Sequence, residues 1–146
     1  MSANSFSATQ RVIDWHGTAT AIGSTVAAAA AAGLKVNIAV VDRAGVLAGF
    51  LRMAGAPLHS IEIAIDKAYT SVSFGLATGR WPELLTESSE AVRNGLVRRP
   101  RFVAFGGGLP IRMGGELIGG IGVSGGSEQQ DEVCARAGLI GIGADQ

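Results

Sequence analysis

Leu109-Pro110-Ile111-Arg112-Met113-Gly114-Gly115-Glu116-Leu117-Ile118-Gly119-Gly120-Ile121-Gly122-Val123-Ser124 reads as two strands folded back on a two-glycine turn. Gly114-Gly115 supplies the positive φ that a tight hairpin demands. A hairpin makes its sheet antiparallel at that point. A second hairpin lies upstream. Lys35–Asp42 carries the apolar run Ile38-Ala39-Val40-Val41, Arg43-Ala44-Gly45 turns the chain, and Val46–Met53 returns.

Around the hairpins the apolar period becomes helical. Val12, Trp15, Ala19, Ile22, Val26 and Ala29 repeat at threes and fours, which predicts a helix over Ser7–Ala32 stopped by Gly33. Ser60 can cap a second helix, with Ile61, Ile65, Ala68 and Val72 as its buried stripe and Gly75 to Gly79 as its end. Pro82 opens a third, with Leu84, Leu85 and Val92 inward and Gly95 as its stop. Phe102–Phe105 is a further strand candidate, and Ser127 with Gln130 forms a capping box for the last helix. The expected fold is therefore α+β: a single antiparallel sheet of about five strands flanked by helices, in one domain over residues 1–146.

Composition narrows the function classes. The 146 residues are 47% hydrophobic and 16% charged, which excludes a disordered chain. Twelve basic residues against twelve acidic ones exclude a phosphate-gripping nucleic-acid binder. Thr18–Leu34, with alanine throughout Ala27–Ala32, is interrupted by Thr, Ser and Gly, so it reads as a helix with a small-residue face rather than a membrane span. Met1–Gln10 lacks the pattern of a signal peptide, and Cys134 is the single cysteine. A cytoplasmic setting is expected, with no membrane partner.

Several constellations bear on chemistry. Arg52, His59, Glu62 and Lys67 fall close together, on a strand end, a loop and an early helix. Arg grips a carboxylate with two parallel hydrogen bonds, and His moves protons near neutral pH. Gly106-Gly107-Gly108 can point successive N–H groups at an anion or form a tight turn. Gly120-Ile121-Gly122-Val123-Ser124-Gly125 spells Gly-x-Gly-x-x-Gly, but no strand-helix-strand unit can follow it, so it reads as a strand packed close to another backbone. Asp42 suits a hairpin-turn cap, with Lys67 able to pair with it across the sheet, and His16 reads as a partly buried helix residue. Glu87 and Glu90 read as a solvated face, and Arg98, Arg99 and Arg101 as a small basic cluster for phosphate or a neighbouring subunit. No metal-ligand set is expected.

Three blocks give the chain a family resemblance. They are Ala39-Val40-Val41-Asp42-Arg43-Ala44-Gly45 with Leu51-Arg52-Met53; Gly55-Ala56-Pro57 with Ser60, Ile65, Lys67-Ala68 and Thr70; and Gly106-Gly107-Gly108-Leu109-Pro110-Ile111 running on through Gly119 to Gly126 and Asp131-Glu132. In these the chain resembles the GlcG/HbpS family, whose domain is also fused to some corrinoid adenosyltransferases of the PduO type. The resemblance implies a profilin-like arrangement, assembly into homo-oligomers, and haem or another tetrapyrrole as ligand. One member carries a Glu-x-x-Glu iron motif on the second helix; Glu62 matches its first position and Ile65 occupies its second.

The resulting expectation is an oligomeric binding protein for a small anionic ligand, with Arg52 and His59 lining one pocket and Glu62, Lys67, Gly106, Gly107 and Gly108 contacting the ligand. The competing expectation is a small catabolic enzyme, with Arg52 holding the carboxylate of a carboxylic acid and His59 as acid and base. A third is a structural oligomer that steadies a partner enzyme.

Overall fold

The computed structural model of the chain describes residues 6–146. Four strands make one antiparallel sheet: β1 (Asn37–Asp42), β2 (Leu47–Arg52), β3 (Gly108–Met113) and β4 (Glu116–Ser124), in the order β2-β1-β4-β3. The helices are α1 (Trp15–Ala31), α2 (His59–Phe74), α3 (Trp81–Glu87), α4 (Glu90–Leu96) and α5 (Glu128–Gly141), with a 3-10 turn over Thr78–Arg80. Both hairpins form, and Gly114 and Gly115 take φ of 59° and 83° at the β3–β4 turn. Asp42 caps the other turn, accepting from the N–H groups of Ala44 and Val46.

Alternation along β1 divides the core. Ile38 and Val40 join Ala21 and Ile22 of α1, Ile121 of β4 and Leu139 of α5 on one face. Ala39 and Val41 meet Ala64, Ala68 and Val72 of α2 on the other. The glycines of β4 explain how close α2 comes. A Cβ on Gly120 would stand 2.6 Å from the Ala68 carbonyl oxygen, and one on Gly122 would overlap that of Ala64. The Gly-x-Gly-x-x-Gly stretch is thus a strand on which a helix backbone rests.

Five sequence expectations are corrected. Helix α1 begins at Trp15, because Asp14 accepts from Gly17 N–H as its N-cap and Ile13 N–H donates to Ile118 O before the helix starts. Its buried face is Thr18, Ala21, Ile22, Thr25 and Ala29, while Trp15 is 81% exposed. Close packing on α5 selects that face: a Cβ on Gly138 would lie 3.0 Å from Ala21 O. Ser60 does not cap α2, which starts one residue earlier. The third helix is two, since extended Ser88 breaks it and Ser89 Oγ accepts from Val92 N–H to start α4. The sheet has four strands among the described residues, not five. Over Phe102–Phe105 the backbone bonds to a side chain instead of a strand: Val103 N–H donates to Thr70 Oγ1, which itself donates to Arg101 O.

The segments before α1 and after α5 are both fastened to the β3–β4 hairpin. Arg11 N–H donates to Glu116 Oε1 and Ile13 N–H to Ile118 O. From the other end, Asp145 accepts from the N–H groups of Gly114 and Gly115, and its own N–H donates to Arg112 O.

Candidate ligand-binding groove along α2

The exposed side of α2 carries three hollows that share walls. The first, about 360 Å³, includes Leu58, His59, Ile61 and Glu62. The second, about 320 Å³, includes Glu62, Ile65, Asp66 and Arg101. The third, about 300 Å³, lies beyond Arg101, between α2 and the segment after α4. Residues 59, 62, 66, 69 and 73 recur at threes and fours, so one helix face runs along the whole track.

The third hollow differs from the others in having an aromatic floor. Phe74 and Phe102 line it, and both pack edge-to-face with Trp81, at centroid distances of 4.8 and 5.0 Å. Such offset contacts are the favoured aromatic geometry. Trp81 is buried and its Nε1–H finds no partner among the described residues. Arg99 and Arg101 also line this hollow, beside Tyr69. Arg101 places its guanidinium 3.6 Å from the Tyr69 ring centroid and donates from Nε to Asp66 Oδ1 at 3.0 Å.

The residues expected to form one pocket fall in three places. His59 and Glu62 are exposed and share the first hollow. Arg52 is exposed at the end of β2, where its Nη2 donates to Ala56 O at 2.6 Å. Ile65, at the second position of the iron motif, is half-buried and packs against the α2-side core, so the next carboxylate along the helix is Asp66. Lys67 points the other way. Its Nζ is buried and donates to Asp131 Oδ2 at 3.0 Å and to Val123 O at 2.8 Å. Its partner is therefore Asp131, not Asp42. Burial lowers the Lys67 pKa below 10.5, and Asp131 offsets part of that.

Gly106, Gly107 and Gly108 are buried beside this pair. A Cβ on Gly107 would lie 2.6 Å from Lys67 Nζ, and one on Gly108 2.5 Å from Lys67 O. Gly108 N–H donates to Thr78 Oγ1 at 2.9 Å. The triple glycine is a close-approach turn around an ion pair, and of the N–H groups that could point at an anion, that of Gly108 is already engaged. Cys134 is buried nearby, and burial first, then Asp131, pushes its thiol pKa up.

A further hollow of about 460 Å³ lies on the opposite helical layer, near Asp14, His16 and Ile142. Among the described residues no group of three or more His, Cys, Asp or Glu stands together as a metal set, and no helix is long and apolar enough to cross a membrane.

Sequence reasoning missed Asp66, Tyr69, Phe74 and Phe102. Arg99 and Arg101 were visible as a basic cluster. The helical spacing of 62, 66, 69 and 73 was the available signal for the α2 side. Nothing local marks Phe102, because its position depends on the tertiary path of the chain after Pro100.

A family model described as haem degrading protein HbpS-like matches residues 13–140. An uncharacterized protein of the dhaT-dhaS intergenic region of Citrobacter freundii is 34% identical over 110 residues, covering 73% of this chain and 78% of that one. A crystal structure of a PduOC–haem complex superposes with a TM-score of 0.84 at 29% identity, over 92% of this chain and 97% of the other. Streptomyces reticuli HbpS carrying two Glu→Asp changes superposes with a TM-score of 0.83 at 32% identity, over 96% and 93% of the two chains.

Proposed function

Because the chain belongs to the HbpS-like family of haem-degrading proteins, we propose that it binds a tetrapyrrole, haem foremost, in the groove along α2. The observation that carries the reading is one hollow that joins an aromatic floor to two guanidinium groups. A flat apolar ring system needs the first and acidic substituents need the second. The groups able to reach an iron are the Tyr69 phenol in that hollow and the His59 imidazole further along the same helix face. Glu62 lies between them in sequence and in the track. Arg52 lines none of these three hollows and spends one Nη2 donor on Ala56 O.

Assembly from several copies belongs to the same reading. Val12, Trp15, Val133 and Ile140 expose large apolar surface, which association would cover. The hollows of one chain are also open, so a neighbouring copy would help enclose a flat ligand.

An absorbance titration of the purified protein with haemin tests this. A saturable Soret shift is expected. A shift that grows without saturating, or none, overturns the proposal. His59→Ala run beside it assigns the imidazole: weaker binding and an altered spectrum place His59 on the iron, and an unchanged titration removes it.

A further inference from the structure

Arg101 adopts φ of +67°, in the left-handed region that long side chains rarely occupy. Such a conformation persists only where its surroundings over-determine it, and it marks positions worth a functional hypothesis. Three contacts fix it here. Its carbonyl accepts from Thr70 Oγ1 at 2.8 Å, its guanidinium lies on the Tyr69 ring, and its Nε donates to Asp66. None of these takes Nη1 or Nη2. Those two groups form the end-on fork of the guanidinium, and Arg101 is a wall of both the second and third hollows.

We propose that Arg101 is the carboxylate anchor of the groove, selecting ligands that join an acid group to a flat apolar body. With Nε held by Asp66 and one face held by Tyr69, the fork is oriented before any ligand arrives. A carboxylate accepting both Nη donors gains two parallel charge-assisted hydrogen bonds. Preorganisation removes the rotamer cost that a free surface arginine would meet. The apolar body of the same ligand then lies towards Phe74, Leu96 and Phe102, with Arg99 available to a second acid group. Asp66 has a positioning role: it fixes the fork and does not touch the ligand.

This inference rests on the groove reading above, and the test separates the two. Wild type, Arg101→Gly and Arg101→Lys are titrated with haemin and with haemin dimethyl ester, read at the Soret band. Glycine accepts the positive φ without strain, and lysine keeps the charge but lacks the fork. Wild type is expected to bind the diacid about tenfold tighter than the ester. Within each variant the ratio of acid to ester affinity is expected to fall well below that of wild type, whatever its absolute affinity. Equal binding of acid and ester by wild type, or an undiminished preference in either folded variant, overturns the inference. If wild type takes up neither porphyrin, the haem reading fails by itself, and 3-phenylpropionate decides on Arg101. A rise in wild-type melting temperature that Arg101→Gly and Arg101→Lys lack sustains the anchor. No rise, or an equal one, overturns it.

Discussion

Lys67 of α2 and Asp131 of α5 meet at 3.0 Å, although their helices cover opposite faces of the sheet. The pair closes around the end of β4, where Lys67 also donates to Val123 O and Asp131 Oδ1 accepts from Gly126 N–H. Gly107 leaves the space for it. Removing one partner strands the other charge without water. Lys67→Met is expected to destabilise by about 3–5 kcal/mol, and Lys67→Met with Asp131→Asn by less. Urea denaturation of the single and double variants checks this; a double variant no better than the worse single one counts against the pair.

The same lysine gives a pH dependence. Its folded pKa lies below its unfolded value, with burial outweighing Asp131. Between the lowered value and 10.5 the unfolded chain therefore holds more protons than the folded one. The contribution of Lys67 to stability rises with pH across that window and is constant on either side. The stability difference between wild type and Lys67→Met should move in favour of wild type as pH is raised towards 10.5. A flat or opposite trend in denaturant midpoints would contradict the assignment.

Two glycines should respond in opposite senses. Gly122→Ala drives a methyl into the α2 backbone at Ala64 and is expected to cost about 3 kcal/mol or more. Gly23 lies exposed within α1 and a Cβ there meets nothing within 4 Å. Gly23→Ala is expected to stabilise by about 0.5–1 kcal/mol through helix propensity. Thermal melts of both variants at matched concentration read the contrast.

Ser127 caps α5, with Gln130 reciprocating from its side chain. Ser127→Ala is expected to cost about 1 kcal/mol. Because α5 carries Asp131, amide exchange at Gly126 should also accelerate in this variant. Unchanged exchange there would mean the cap and the ion pair are independent.

Cys134 is 2% exposed and its thiol is held above the usual range. A thiol reagent should leave the native protein unmodified and react fully once the chain is unfolded. Rapid modification of the native protein would contradict this burial.

What could be read from the sequence was local. The Gly114-Gly115 hairpin, the Asp42 turn and the Ser127–Gln130 cap each depend on neighbours a few residues away, so the residues alone specify them. The buried face of α1 departs from its apolar period because large Trp15 and Val12 mark one stripe, whereas close packing against Gly138 demands the small one. The Phe102 segment is no strand, although its apolar residues suggest one, because Thr70, far along the chain, accepts from Val103 N–H. Within the groove, His59 and Glu62 lie together as their spacing implied. Lys67 and the triple glycine lie beneath the sheet end with Asp131, a partner no local pattern announces. Pairing over that separation is decided by how two helical layers close around one strand.

Because Arg11 and Ile13 on one side and Asp145 on the other are tied to the β3–β4 hairpin, these two segments lie side by side. A short flexible linker could join them, and new ends could be opened at Ala44, the exposed residue of the β1–β2 turn. Such a circular permutant would keep every strand pairing of the sheet. Conversely, a bulky fusion placed directly at Asp145 would pry at the hairpin itself, so a spacer there is the sounder design for tethering this protein to a surface or to a second protein.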